Sequence, residues 1–72
     1  MRTIFIKKEP ILLGQFLKFS GIITNGGEAK IFLSETDVKV NKMPENRRGK
    51  KLFGGDIVEI DGKKFQIVLE TN

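Results

Sequence analysis

The sequence predicts a small α+β domain in which a helix pair packs on a short antiparallel β-sheet. Two segments before residue 36 carry the i, i+3, i+4 apolar spacing of amphipathic helices. A segment near the C-terminus alternates apolar and polar residues on both sides of Asp61-Gly62, a favoured two-residue hairpin turn. A chain of 72 residues has room for one core, so we expect a single domain spanning residues 1–72.

The first predicted elements are a strand and a helix. Residues 3–7 are rich in β-branched and aromatic side chains, which favours a strand. Pro10 suits a helix entry, and the residues after it place apolar side chains on one helical face. Gly14 weakens this helix by about 1 kcal/mol relative to alanine, and Gly21 predicts its end. The apolar positions are Leu12, Leu13, Phe16, Leu17 and Phe19.

The second predicted helix begins with a capping signature. Asn25 can cap it, and the Glu28 side chain, three residues later, can accept a hydrogen bond from the Asn25 backbone N–H. Gly26-Gly27 leaves backbone N–H groups uncovered, so this turn either seats a phosphate or only starts the helix. The sequence favours neither interpretation. The predicted inward face consists of Ala29, Phe32 and Leu33.

The remaining predicted elements are strands. Residues 37–41 alternate, with Val38 and Val40 inward and Lys39 outward. Residues 56–69 form the hairpin around Asp61-Gly62. Its second strand places Phe65, Ile67 and Leu69 on one face and Lys64, Gln66 and Val68 on the other.

Positive charge is concentrated in residues 39–51, which we call the basic segment. The chain has a net charge of +4, and this segment holds six basic residues against one acidic residue. Such a run either solvates a loop or binds a polyanion. Arginine forks, and nearby glycines that let backbone amides approach a phosphate, favour the polyanion. The six basic residues are Lys39, Lys42, Arg47, Arg48, Lys50 and Lys51.

Composition removes several classes of site. The chain has no Cys and no His, which excludes disulfides, thiolate metal sites and catalytic pairs that need either residue. Asp56, Glu59 and Asp61 cluster in the hairpin, but alternation separates the first two, so turn chemistry explains them better than a metal site. We expect a non-enzymatic protein without a cofactor, a metal or a small-molecule substrate. No apolar run reaches the roughly 18 residues of a membrane span, so we expect a cytoplasmic protein with no membrane partner.

All six aromatic residues are phenylalanines. Most fall on the apolar faces described above, so we expect them in the core. Phe53, at the end of the basic segment, is the one candidate for stacking on a base, although burial in the core is favoured for it as well. This distribution favours recognition of backbone and shape over a single-strand reader built on aromatic shelves.

Two segments of the sequence resemble a known family. "LLGQFLKFSGIITNGGEAKIFLSETDVKVN" (residues 12–41), followed by "GGDIVEI" (residues 54–60), is similar to the small RNA-binding domain first described in the fourth protein of the small ribosomal subunit, here called the S-four domain. The resemblance covers about residues 12–60 and is nearest to the stand-alone bacterial YaaA type. It implies a helix pair on a sheet, of the αL RNA-binding type, that binds structured RNA, often ribosomal or transfer RNA.

The resemblance also implies which residues contact RNA. Two cations common in the family are absent here, because the first helix starts with Leu12-Leu13-Gly14-Gln15 and the second follows Asn25-Gly26-Gly27. The expected phosphate contacts therefore shift towards Arg47, Arg48, Lys50 and Lys51, with Lys42 extending the patch. Carried over by position, the family contacts are Lys18, Asn25, Lys30, Lys39 and Asn41.

Two other functions remain open. The chain is alternatively a protein-interaction adaptor on a ribosome or an assembly factor, with the basic segment facing an acidic partner. Binding of double-stranded DNA is a variant of the RNA hypothesis. The absence of His and Cys argues against an enzyme.

Overall fold

The computed structural model describes residues 1–70, so the predicted domain extends two residues beyond the described part. The α+β class with two helices is confirmed. A short 3₁₀ turn, Gly26–Glu28, leads into the second helix. The elements follow the order β1 (Arg2–Ile6), β2 (Ile11–Leu12), α1 (Leu13–Phe19), α2 (Ala29–Glu35), β3 (Val38–Val40), β4 (Met43–Pro44), β5 (Lys51–Leu52), β6 (Ile57–Ile60) and β7 (Lys63–Leu69).

The main sheet has the strand order β1-β7-β6-β3-β4, and β2 and β5 form a separate two-stranded ladder. β6 and β7 form the predicted hairpin, in which Asp61 and Gly62 have φ angles of 48° and 83°, both positive as a type I′ turn requires. β3 pairs antiparallel with β6 and β4. β1 runs parallel to β7, so the sheet is mixed rather than wholly antiparallel as predicted. A parallel pair needs a long crossover, which here includes both helices.

Helix α1 begins later than predicted. Residues 11–12 pair with β5, so Pro10 precedes a strand instead of entering the helix. The Gln15 side chain accepts a hydrogen bond from the Leu12 backbone N–H at 3.0 Å, which caps the first turn. Gly21, with φ of 82°, follows the helix end as predicted.

Helix α2 begins with the predicted capping contact. Glu28 Oε1 accepts a hydrogen bond from the Asn25 backbone N–H at 3.1 Å and another from Thr24 N–H at 3.3 Å. The Thr24 hydroxyl also donates a hydrogen bond to Glu28 Oε1. Together these bonds lower the pKa of Glu28, with the Thr24 hydroxyl as the largest cause and the Asn25 amide next. Ala29 and Leu33 are buried, as predicted for the inward face. Both α-helices of residues 1–70 have seven residues, too few to cross a bilayer.

The core lies between the helix pair and the main sheet. Leu13, Phe16 and Leu17 of α1 are fully buried, and the Phe16 ring meets Phe65 of β7 edge to face at a centroid distance of 6.0 Å. Three phenylalanines expected in the core lie at the surface instead, and one of them is Phe53, which is 45% exposed. Side chains alternate along β1, so Phe5 is 54% exposed while Ile4 and Ile6 point into the core. Phe19 is 63% exposed because it faces away from the buried side of α1.

Candidate nucleic-acid interface

Backbone hydrogen bonds hold the basic segment against the start of α1. The Leu13 N–H donates to the Lys50 carbonyl at 2.8 Å, and the Gly14 N–H donates to the Arg48 carbonyl at 2.9 Å. Lys51 pairs with Leu12 in the β2–β5 ladder. Two N–H groups of the first helical turn, which have no partner inside the helix, are thereby satisfied. The segment and the helix therefore form one surface.

Gly14 permits this close approach. A Cβ atom at Gly14 would lie 3.3 Å from Arg48 Cβ, 3.4 Å from the Arg48 carbonyl oxygen and 3.5 Å from Ala29 Cβ. These separations leave no room for a larger side chain without movement of a neighbour. In the sequence, Gly14 indicates only a weak point of the helix. The close packing depends on Arg48, which is distant in the sequence.

A groove of about 370 Å³ lies where α1, the start of the second helical segment and the basic segment meet. We call it the basic groove. Lys18 and Arg48, thirty positions apart in the sequence, both line it, and both side chains are exposed. Within residues 1–70, no carboxylate oxygen lies within 4.0 Å of a charged nitrogen of Lys18 or Arg48. Their charges are thus available to an anion. Gln15, which the sequence analysis did not select, lines the same groove.

Two predicted phosphate-binding cations already have carboxylate partners. Lys39 points outward as predicted, but its Nζ lies 3.3 Å from Asp37 and 3.9 Å from Glu59, which is opposite it on β6. Arg47 binds Glu45 through two nitrogens, at 2.9 and 3.1 Å. A phosphate must compete with these carboxylates, so both cations are weaker candidates than Arg48.

The ion pair with Arg47 strongly lowers the pKa of Glu45. The hydrogen bond from the Arg47 side chain is the main cause that lowers the pKa of Glu45 to about 2, from an ordinary value of 4.5. The charges of Arg47 and Lys50 contribute further. The Glu45 side chain is only 10% exposed, although that of Arg47 is 72% exposed. Glu45 therefore stays ionised and holds Arg47 over a wide pH range.

We expect Glu45→Gln to destabilise the protein by about 1 kcal/mol at pH 7, a value discounted because the Arg47 side chain is largely in solvent. The folded-state pKa lies below the unfolded one, so this contribution is present above about pH 4.5 and is lost as pH falls towards 2. Urea unfolding of both proteins at several pH values measures it. If the free energies of unfolding of the two proteins still differ by the same amount near pH 2, the ion pair between Glu45 and Arg47 is not the cause of the difference.

Asn41 and Asp56 hold the turn regions together. The Ile57 N–H donates to Asn41 Oδ1 at 2.9 Å, and Asn41 Nδ2 donates to Asp56 Oδ1 at 3.0 Å. Asp56 also accepts from the Phe53 N–H at 2.8 Å. Asn41 and Lys42 have φ angles of 50° and 72° and form the turn between β3 and β4. The predicted RNA-contact residue Asn41 thus has a structural role in these contacts.

The remaining predicted site residues are distributed around the basic groove and the turns. Asn25 lies next to Gly26, which lines the groove, and its backbone N–H binds Glu28. Lys50 is half-buried beside Glu45. Lys30 on α2, Lys42 in the β3–β4 turn and Lys51 on β5 are exposed. The structure therefore places Lys18 and Arg48 in one groove. The six cations of the basic segment do not form a single patch, because carboxylates already bind Lys39 and Arg47.

Comparison with protein families gives a match over almost the whole chain. Residues 4–68 match the family model described as the S4 domain, the S-four domain named above. The chain belongs to the S4 domain family. The match is wider than the predicted resemblance over residues 12–60, because it includes most of β1 and β7.

Curated relatives of this S4 domain chain are bacterial. It is 58% identical over 66 residues to a "Probable ribosome maturation protein RlbA" of Bacillus subtilis (strain 168), covering 90% of this chain and 93% of the relative. It is 35% identical over 69 residues to a "Putative RNA-binding protein YbcJ" of Escherichia coli (strain K12), covering 94% and 99%. The solution structure of YbcJ, described as revealing an αL motif involved in RNA binding, matches with a TM-score of 0.70 over 94% of this chain and 87% of YbcJ. The S4 domain chain thus shares fold and length with these proteins.

Proposed function

We propose that this chain is a non-enzymatic RNA-binding module that recognises structured RNA through phosphate contacts from the basic segment and the helix pair. The observation that carries the proposal is the basic groove, which Lys18 and Arg48 both line without a carboxylate partner among the described residues. Family membership and the RNA-binding descriptions of YbcJ support it. The proposed module is one domain spanning residues 1–72.

The site residues have graded roles in this proposal. Lys18 and Arg48 bind phosphates directly, because their side chains are exposed and free of carboxylates within the described chain. Lys39 and Arg47 contribute to the field but bind phosphate less tightly, since carboxylates compete for them. Asn25 and Asn41 add polar contacts, Asn41 only through the part of its amide that Asp56 and the Ile57 N–H leave free. The flanking cations that extend the surface are Lys30, Lys42, Lys50 and Lys51.

The partner is ribosomal RNA in this proposal, with transfer RNA as the competing substrate. The relative from B. subtilis is named as a probable ribosome maturation protein, and it covers nearly the whole of this chain at 58% identity. The site of action would be the bacterial cytoplasm.

Salt dependence tests the phosphate contacts. If about four phosphates are neutralised, the affinity for a structured RNA should fall roughly 100-fold between 50 and 200 mM salt. Filter-binding titrations with a ribosomal RNA fragment, a transfer RNA and a DNA duplex of equal length measure both this slope and the preference between partners. An affinity that does not change with salt would rule out the proposed mode of binding.

An adaptor that binds a ribosomal or assembly protein is the second candidate, because the B. subtilis relative is named for ribosome maturation and not for RNA binding. Nuclease treatment separates the two functions. A partner that remains bound to the tagged protein after RNA is digested favours the adaptor, whereas release of the partner favours RNA binding.

A further inference from the structure

A second groove, of about 640 Å³, lies between the end of β1 and the outer face of α1. Phe5 and Phe19 both line it, and both are more than half exposed. Pro10 and Ile11 add further apolar surface. We call this region the aromatic groove. Exposed aromatic rings that share a groove are unusual on a small domain, because most such rings are buried in the core.

The charge around the aromatic groove is mainly positive. Lys7, Lys8 and Lys18 line it together with one acidic residue, Glu70. The electrostatic field therefore attracts an anion to a site whose walls are apolar and aromatic. A nucleotide combines these features, because it has a flat apolar base and a negative phosphate. A neutral apolar peptide would use the walls but not the lysines.

The aromatic groove is continuous with the basic groove. Gln15 and Lys18 line both. Phe19 follows Gln15 by four positions, so the two side chains lie on one face of α1, one helical turn apart. An RNA strand whose phosphates bind Arg48 and Lys18 therefore passes directly to the two phenylalanine rings.

We propose that the aromatic groove binds one unpaired base of the RNA, stacked on Phe19 and Phe5, while Lys18 binds the adjacent phosphate. The proposal rests on the RNA-binding function proposed above and adds what that function leaves open, the recognition of a single-stranded element beside a helix. Phosphate contacts position an RNA, whereas unpaired bases stacked on aromatic side chains provide selectivity.

The test compares two RNA probes. The first is a hairpin with a single-stranded loop that contains 2-aminopurine, and the second is a fully paired duplex with the same number of phosphates. For Phe19→Ala, and likewise Phe5→Ala, we expect a roughly 5- to 100-fold loss of affinity for the hairpin. The change for the duplex should be less than about 3-fold, since phosphate contacts are retained. Binding of the wild-type protein should change the 2-aminopurine fluorescence, and Phe19→Ala should remove that change.

Two variants serve as controls. Ile31→Ala removes another exposed large apolar side chain, which lines neither the aromatic groove nor the basic groove, and should leave hairpin affinity within about 2-fold. Phe19→Trp keeps an aromatic surface and should retain binding of the hairpin. Because Phe19 is mostly exposed, its replacement should leave the circular dichroism spectrum and the unfolding midpoint nearly unchanged.

The possible outcomes separate this inference from the proposed function. Salt-dependent binding of both probes that is unaffected by Phe19→Ala overturns the stacking site and leaves RNA binding intact. Failure of both probes to bind overturns both proposals. If Phe19→Ala leaves RNA affinity unchanged but abolishes binding to a ribosomal protein, the groove binds a protein side chain and the inference is wrong.

Discussion

Replacement of Lys18 and Arg48 together by alanine should weaken binding of a structured RNA by at least about 100-fold. Each side chain offers charge-assisted hydrogen bonds to phosphate, and a hydrogen bond to a charged group contributes about 1.5–3 kcal/mol. No carboxylate within residues 1–70 lies close enough to reduce either contribution. The slope of log affinity against log salt should also decrease by about 2, because two fewer phosphates are neutralised.

A matched control separates the site from general charge. Lys63→Ala combined with Lys64→Ala removes the same charge from the β6–β7 hairpin, outside the basic groove, and should reduce affinity less than about 5-fold. The loss of RNA affinity for Arg47→Ala should lie between the losses for the two double variants, since Glu45 already binds the Arg47 side chain. Filter binding at several salt concentrations provides both quantities. Equal losses for the two double variants would mean that the basic groove is not the binding site.

Gly14→Val should destabilise the protein by roughly 2–4 kcal/mol and also weaken RNA binding. The new Cβ would lie 3.3 Å from Arg48 Cβ and 3.4 Å from the Arg48 carbonyl oxygen, and valine adds two methyl groups to this contact. Overpacking typically costs about 1–3 kcal/mol. Displacement of Arg48 would also break the hydrogen bond from the Gly14 N–H, which is worth about 1 kcal/mol.

This loss is large for a domain of 72 residues, whose total stability is roughly 4–11 kcal/mol at 0.05–0.15 kcal/mol per residue. RNA affinity should fall at a temperature where the variant remains folded, because Arg48 moves away from Lys18. The control for stability is Gly49→Val, since a Cβ at Gly49 meets no atom within 4 Å; Gly49 lines the basic groove, so this variant is not a control for RNA binding. Urea unfolding and filter binding measure the two effects. If Gly14→Val and Gly49→Val lower the stability equally, the close packing of the basic segment on α1 does not hold that segment in place.

Local signals in the sequence were sufficient for most elements. Glu28 binds the N–H of Asn25 as the capping pattern predicts, and Asp61-Gly62 forms the expected turn. Val38 and Val40 are buried by simple alternation. Each feature depends on residues only a few positions apart, so a short window of sequence contains the information that determines it.

The start of α1 was misplaced because the deciding contact is not local. Residues 11–12 pair with β5, about forty residues later, so they form a strand although their apolar spacing also fits the helix. The parallel pairing of β1 with β7 was missed for the same reason, because those strands lie at opposite ends of the chain. A pattern of alternation predicts a strand but not its neighbour.

The candidate site was only partly predictable. The sequence identified the cations, but it did not show that Asp37 and Glu59 neutralise Lys39 or that Glu45 binds Arg47. Nor did it show that Phe5 and Phe19 are exposed together beside Lys18. Apolar spacing indicates which side chains favour burial, but the short helix and the edge strand leave these two rings uncovered.

By itself, the sequence determined the type of most elements, the positive character of residues 39–51 and the family resemblance. The tertiary structure decided which cations remain free, because a charge is neutralised by whatever carboxylate the fold brings within about 4 Å of it. It also placed Arg48 beside Lys18, through backbone hydrogen bonds between the basic segment and the first turn of α1. Side-chain chemistry depends on residue identity, whereas a binding surface depends on distances that only the folded chain fixes.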